Sequence, residues 1–231
     1  MLGTIVNTLA IIGGALVGIS FRKGFPEKIK STVIQGIGLA ILLIGMEMAL
    51  KTKNPLIIIS SLVVGGIFGE IIDIENRLEN LGKWMESKFS KGNQSGEFTK
   101  AFVSASLIYC VGAMAIMGSL DSGLRGNHQI LYAKSLLDGI SSVVFASSMG
   151  IGVAVSAIPV FLYQGAITLS ASYLQGILST DVISEMSATG GLLILGIGLN
   201  ILQIQKIKVG NLLPAIFAAV AFTYLFKSLG I

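Results

Sequence analysis

The sequence predicts an all-α, polytopic integral membrane protein. Of its 231 residues, 53% are hydrophobic and only 12% are charged, whereas about 25% of the residues of a soluble domain are charged. Apolar runs of the length that crosses a bilayer, about 20 residues, recur along the chain. The 29 glycines are typical of packed membrane helices, because small side chains let two backbones approach closely.

Eight segments have the length and composition of transmembrane helices. In chain order they are residues 2–21, 32–50, 54–72, 101–119, 135–156, 158–177, 187–204 and 208–227. Several of them lie close together, so seven spans with one re-entrant segment is the alternative. The first segment has no basic residues before it, which favours a retained span over a cleaved signal peptide. We therefore expect one transmembrane domain over residues 1–231.

Residues 74–89 predict an amphipathic helix that does not cross the membrane. Its apolar residues recur at helical spacing and its other positions are mostly polar or charged. Trp84 is typical of an anchor at the level of the lipid headgroups. Residues 74–97 are therefore predicted to be a helix and loop on the cytoplasmic surface.

The distribution of Lys and Arg predicts the orientation. With eight spans and the N-terminus outside, 11 of the 16 basic residues fall on the cytoplasmic side and 5 on the outer side. Cytoplasmic loops are enriched in Lys and Arg. Both termini are therefore predicted to lie outside.

Two parts of the chain resemble each other. Residues 38–45, GLAILLIG, match residues 191–198, GLLILGIG, at six of eight positions. Residues 14–16 match residues 165–167 at nearly the same offset. This pattern predicts an inverted repeat of spans 1–3 (residues 1–73) and spans 6–8 (residues 157–231), with the two central spans (residues 98–156) between them. A chance match of segments rich in Gly, Leu and Ile is the alternative.

Asp138 is the first candidate for a functional residue. Acidic side chains inside membrane segments are costly and usually functional. Lys134 lies one helical turn before it, so that the two side chains could pair on one face. The alternative is a structural cap at the membrane interface.

Other polar residues could line a path through the membrane together with Asp138. They are Asn7, Gln35, Ser104, Ser106, Asp121, Ser141, Ser142, Gln164 and Asn200. Asp121 is equally explained as part of a polar turn, and each of the others could instead form a hydrogen bond between helices.

The sequence offers little support for an enzyme. It contains no phosphate-binding glycine loop and no nucleophile elbow. A single Cys and a single His exclude an internal disulfide and argue against a metal site or a Ser-His mechanism. We expect no cofactor, and no basic patch of the kind that binds nucleic acid is evident.

Several segments closely resemble the bacterial membrane family known as domain of unknown function 554. They are MLGTIVNTLAIIGGALVG, QGIGLAILLIGMEMAL, GEIIDIENRLENLGKW, CVGAMAIMGS and KSLLDGISSVVFASSMGIGV. The resemblance implies a multi-spanning protein of the bacterial cytoplasmic membrane, in a family often labelled as transport proteins without an established substrate. This chain has Gly126-Asn127-His128 where Gly-Asp-His is expected, which argues against a metal or proton role for that turn.

The resulting hypothesis is a transporter or channel that moves a small solute or ion across the bacterial cytoplasmic membrane. The alternative is a membrane scaffold or regulatory subunit. The expected partners are the lipid bilayer and a small solute or ion, and the sequence leaves a homo-oligomer open.

Overall fold

The computed structural model of the protein describes residues 1–22, 27–89, 96–110 and 112–230. Every regular element in these residues is a helix. The helices are α1 (Leu2–Arg22), α2 (Glu27–Ala49), α3 (Pro55–Ile72), α4 (Ile74–Phe89), α5 (Glu97–Cys110), α6 (Ala113–Arg125), α7 (Gln129–Met149), α8 (Gly152–Val155), α9 (Ala157–Leu169), α10 (Ala171–Leu174), α11 (Thr180–Ile201), α12 (Val209–Leu212) and α13 (Pro214–Ser228).

The helices confirm an all-α protein that spans a membrane several times. Within the described part of the chain, six segments are long and apolar enough to cross a bilayer: α1, α3, α7, residues 152–169, α11 and residues 209–228. The bent pair of α5 and α6 raises the number to seven if it is one span. Residues 34–49 add a shorter apolar helix, so the count of eight stays a prediction.

The predicted fourth span is not one continuous helix. Residues 101–119 were expected to cross as a unit, but α5 ends at Cys110 and α6 begins at Ala113. The two helices are bent by 58°. Gly112 lies at the break, where the absence of a side chain weakens the preference for a helix.

Three later spans begin earlier than predicted. The fifth, sixth and seventh start at Gln129, Gly152 and Thr180 rather than at residues 135, 158 and 187. The prediction followed the apolar runs, whereas these helices include buried polar residues that form pairs inside the protein. Lys134 and Glu185 are examples, and both are at least 90% buried.

The described chain forms two compact units. The first unit comprises Met1–Ile37, Glu79–Cys110 and Met114–Leu174. Its centre is the pair α1 and α7, with α5, α8 and α9 packed around it. Gly3 of α1 lies against Leu131 of α7, and Gly18 lies against Val143, so α1 and α7 run side by side in the same direction.

The direction of α1 and α7 bears on the number of spans. If α2 and α3 each cross the membrane once, α7 can run parallel to α1 only when the segment between α3 and α7 also crosses. The parallel arrangement therefore favours the bent pair of α5 and α6 as a broken span over a re-entrant loop.

The second unit comprises Gly38–Leu78, Val111–Ala113 and Gln175–Ile231. In it, α3 packs against α13 and α12, and α11 packs against α13. The helix α3 starts where Pro55 occupies its first turn and Asn54 accepts a hydrogen bond from the Leu56 amide. It ends at Asp73, which adopts a left-handed conformation with a φ of 57°.

Spans 2 and 7 run in opposite directions, as an inverted repeat requires. In the second unit, Gly45 of α2 lies against Gly191 of α11, and Gly38 lies against Leu202. The superposition of spans 1–3 on spans 6–8 stays a prediction. The two compact units do not coincide with the two proposed copies, because each unit contains segments of both.

The amphipathic segment forms the helix α4 over the predicted residues 74–89. Trp84 is 57% exposed, as a membrane anchor would be. The part of the proposed loop between residues 90 and 95 lies outside the described residues. That α4 lies flat on the cytoplasmic surface remains an expectation.

We expect a cysteine introduced at either end of the chain to react with a membrane-impermeant thiol reagent in intact protoplasts, in a Cys110→Ser background. The reason is the excess of Lys and Arg in the predicted cytoplasmic loops. Mass spectrometry of the labelled protein would measure the reaction. Labelling of either end only after permeabilisation would contradict the eight-span orientation.

Candidate functional site

Asp138 lies near the middle of α7 and is 6% exposed. The sequence placed it at the start of a span, where a role as interfacial cap was the alternative. The helix begins earlier, at Gln129, so the carboxylate lies inside a membrane-spanning segment. A carboxylate at that depth needs partners within the protein.

Lys134 and Asn7 are the partners of Asp138. The Lys134 ammonium lies 2.8 Å from Oδ2 and 3.0 Å from Oδ1 of the carboxylate. The side-chain amide of Asn7 donates a hydrogen bond of 3.0 Å to Oδ2. The acidic and basic side chains are each 9% exposed. These three residues form what we call the ion-pair cluster, which is electrically neutral as a whole.

Glycines bring α1 close enough to α7 for this contact. A Cβ atom built on Gly14 would overlap the carbonyl oxygen of Gly139, and one on Gly18 would overlap the carbonyl oxygen of Val143. Gly14 and Gly18, four residues apart, thus form a small-residue contact of the kind found between membrane helices. The close approach places Asn7 within reach of a carboxylate on the neighbouring helix.

A further hydrogen bond links α7 to α5. The hydroxyls of Tyr109 and Ser142 lie 2.9 Å apart, and both residues are buried. Ser142 follows Asp138 by one turn, and Tyr109 is the penultimate residue of α5. The C-terminal end of α5 therefore lies next to the polar face of α7.

Two of the other three predicted serines bond within their own helices. Ser141 donates to the carbonyl of Asp138 at 3.1 Å, and Ser106 donates to the carbonyl of Phe102 at 2.6 Å. Such bonds to the preceding turn are common for serine in helices. Ser104 is buried in α5.

Asp121 lies in a polar network at the end of α6. Its carboxylate accepts a hydrogen bond of 2.8 Å from Asn127 and lies 3.5 Å from Arg125. His128 lies nearby, with Nδ1 2.9 Å from the hydroxyl of Ser122. Among the described residues, no group of three or more His, Cys, Asp or Glu side chains could hold a metal ion.

Three other predicted path residues are not among the partners that the described residues provide for Asp138. Gln35 is exposed on α2. Asn200 fixes the chain that follows α11. Its side-chain nitrogen donates to the backbone carbonyl of Ile207 at 2.8 Å, and its side-chain oxygen accepts from the backbone amide of Ile207 at 2.7 Å. Gln164 is completely buried in α9.

Sequence reasoning missed Glu185, a buried acid in the second unit. Its carboxylate accepts hydrogen bonds from the Thr52 hydroxyl at 2.6 Å and from the Lys53 amide at 2.7 Å, and so fixes the turn between α2 and α3. Asp181, one turn earlier, lies 2.7 Å from the Lys53 ammonium and raises the pKa of that lysine through the hydrogen bond. The sequence did contain a signal for this contact: Glu185 is an acidic residue in a mostly apolar segment, and the turn between α2 and α3 offers polar partners for it.

A second missed residue is Asn211, which joins α12 to α3 and α4. Its amide donates to Glu70 at 2.6 Å, and its side-chain oxygen accepts from the backbone amide of Glu75 at 2.7 Å. Lys208 lies 2.6 Å from Glu70, and the hydrogen bond to that carboxylate raises the pKa of the lysine. Both networks of the second unit stabilise turns, whereas the ion-pair cluster of the first unit joins two membrane helices.

Comparison with known proteins places this chain in a family. The model of the family described as "Protein of unknown function (DUF554)" matches residues 2–224. The uncharacterised membrane protein YdfK of Bacillus subtilis (strain 168) is 35% identical over 100% of this chain and 99% of its own length. The uncharacterised protein YqgA of Escherichia coli (strain K12) is 29% identical over 95% of this chain and 94% of its own. No solved structure matches. A chain of apolar helices that matches this family over nearly its whole length belongs to the DUF554 family of membrane proteins.

Proposed function

We propose that the protein transports or conducts a small solute or ion across the bacterial cytoplasmic membrane, and that Asp138 lies in the path. The observation that carries the proposal is the buried ion-pair cluster between two membrane helices. A buried ion pair often contributes no more to stability than well-packed apolar side chains of similar volume. Ionisable residues inside membrane segments commonly mark ion or substrate pathways.

The geometry of the cluster suits reversible binding of a cation or a proton. Both oxygens of Asp138 face the Lys134 ammonium, so an incoming cation could take the place of that ammonium while Asn7 keeps its hydrogen bond. The long lysine side chain has the rotational freedom to move aside. The cluster could thus hold its own counter-ion in one state and a transported ion in another.

The end of α5, whose last turn contacts α7, also supports transport. Substrate sites of secondary transporters are commonly built at discontinuous helices, where backbone groups freed from the helix can bind ions. Here α5 ends at Cys110, directly after Tyr109, whose hydroxyl lies against α7. In this proposal the partners are the bilayer and the small solute or ion, and the protein acts without catalysis or a cofactor.

We expect Asp138→Asn to reduce flux at least about tenfold, which corresponds to 1.4 kcal/mol, in protein that still inserts and stays monodisperse, although the variant leaves the buried Lys134 without its counter-ion and is therefore less stable. Asparagine keeps the shape of the side chain but removes the charge that attracts the ion. The measurement is dye-reported flux of H⁺, Na⁺ and K⁺ into reconstituted vesicles.

The matched control is Asp181→Asn, which removes an aspartate paired with Lys53 in the second unit and 46% exposed. It should leave flux unchanged. Equal flux in the two variants would reject a role for Asp138. Absence of any flux in the unmodified protein, across this panel and a panel of small organic solutes, would favour the scaffold or regulatory role.

A further inference from the structure

Besides Asn7, four buried side chains of the first unit have hydrogen-bonding atoms without a partner among the described residues. They are Thr4 of α1, Ser119 of α6, and Gln164 and Thr168 of α9, and we call them the amide–hydroxyl cluster. Gln164 is completely buried, yet neither its amide nitrogen nor its amide oxygen has a partner in the described chain. Burying such a group without a hydrogen bond is unfavourable in proteins.

Close contacts show that α6 and α9 meet at this cluster. A Cβ atom built on Gly123 would overlap the carbonyl oxygen of Thr168, so the two backbones touch there. Ser119 precedes Gly123 by one turn on the same face of α6, and Gln164 precedes Thr168 by one turn on the same face of α9. The unpartnered atoms of the two helices therefore lie on faces next to a direct helix contact.

The N-terminal end of α1 lies beside the same place. A Cβ atom built on Gly165 would lie 3.4 Å from the terminal carbon of Met1, and Thr4 follows on the first turn of α1. Asn7 comes one turn further along α1, where it binds Asp138. Its side-chain oxygen is also without a partner among the described residues, so the unpartnered atoms continue up to the ion-pair cluster.

The chemistry of the cluster specifies its ligand. Hydroxyl groups and a side-chain amide both donate and accept hydrogen bonds and carry no charge. They suit an uncharged ligand that can also do both, and water is the smallest such ligand. A buried water typically makes about three hydrogen bonds to polar groups that would otherwise be unsatisfied.

We propose that the amide–hydroxyl cluster binds water and forms a hydrated route from the Met1 end of α1 to Asp138. Hydration of the cluster does not depend on transport. A further role of the route, to supply the Asp138 carboxylate with its ion or proton, rests on the proposed function. The outer end of this route lies at the start of α7, where Ser122 contacts His128.

The test is the reactivity of single cysteines in a Cys110→Ser background, because a thiol reacts as the thiolate, which forms in water and not in lipid. Ser119→Cys changes one atom and is the first variant, and Gln164→Cys is the second. The control is Leu162→Cys on α9, which is 63% exposed on the protein surface and therefore faces lipid. Asn127→Cys in the exposed turn marks the side to which the reagent has access.

With a charged, membrane-impermeant methanethiosulfonate added to vesicles, we expect Ser119→Cys to react at least about tenfold faster than Leu162→Cys, and from the same side as Asn127→Cys. Reaction no faster than that of Leu162→Cys, or only from the opposite side, would overturn the proposal. Labelling needs no transport. A protein that is labelled at position 119 but shows no flux would keep the hydrated route and reject the transport function.

Discussion

Lys134→Met is expected to destabilise the protein by about 3–5 kcal/mol, the usual cost of removing one partner of a buried ion pair. Methionine fills a similar volume to lysine. The loss of stability should therefore come from the buried Asp138 carboxylate, which no longer has a counter-ion. The carboxyl can escape this cost by taking up a proton. The destabilisation should therefore shrink as the pH falls and grow as it rises.

The double variant Lys134→Met with Asp138→Asn should recover most of the lost stability, because it leaves no unpaired charge. Thermal or denaturant unfolding in detergent micelles gives the four values of the double-mutant cycle. Lys53→Met is the control. It removes a pair whose side chains are 72% and 46% exposed, and such pairs contribute about 0–1 kcal/mol. A double variant as unstable as Lys134→Met alone would show that the loss is one of packing.

The two units use buried acids differently, and this difference supports the assignment of the site. Glu185 accepts hydrogen bonds from a turn and so holds two consecutive helices in register. Asp138 binds a lysine of its own helix and an amide 131 residues away. A structural role explains the first acid completely. The second joins two helices that already pack through glycines, so its charge is not needed to hold them together.

The parts of the fold that could be predicted from the sequence follow local patterns. Apolar runs predicted membrane helices, and the spacing of four residues between Lys134 and Asp138 predicted their pairing. The amphipathic pattern gave the correct bounds of α4. Each of these features depends on side chains that are close together in the chain.

The rest depends on contacts between distant residues. Nothing near Asn7 indicates that it faces Asp138, because α1 and α7 must first pack in a particular register. The start of α11 was predicted too late, since the buried Glu185 looks unfavourable in a membrane helix until its partners in a distant turn are known. The break after Cys110 depends on its surroundings, because a Gly alone does not end a membrane helix.

Gly14→Ala is expected to disrupt the first unit, although it adds a single methyl group. The new Cβ atom would overlap the carbonyl oxygen of Gly139, and a backbone atom cannot rotate away. The helices α1 and α7 would have to separate, which costs about 1–3 kcal/mol for overpacking and sometimes more. The separation would also break the hydrogen bond from Asn7 to Asp138, so flux should fall together with stability.

The neighbouring residue provides a matched control. A Cβ atom on Gly13 would meet nothing within 4 Å, and alanine favours a helix over glycine by up to about 1 kcal/mol. Gly13→Ala should therefore have a melting temperature in detergent equal to or above that of the unmodified protein, and normal flux. If the two variants melted at the same temperature, α1 and α7 would not be in direct backbone contact, and the register that places Asn7 against Asp138 would be wrong.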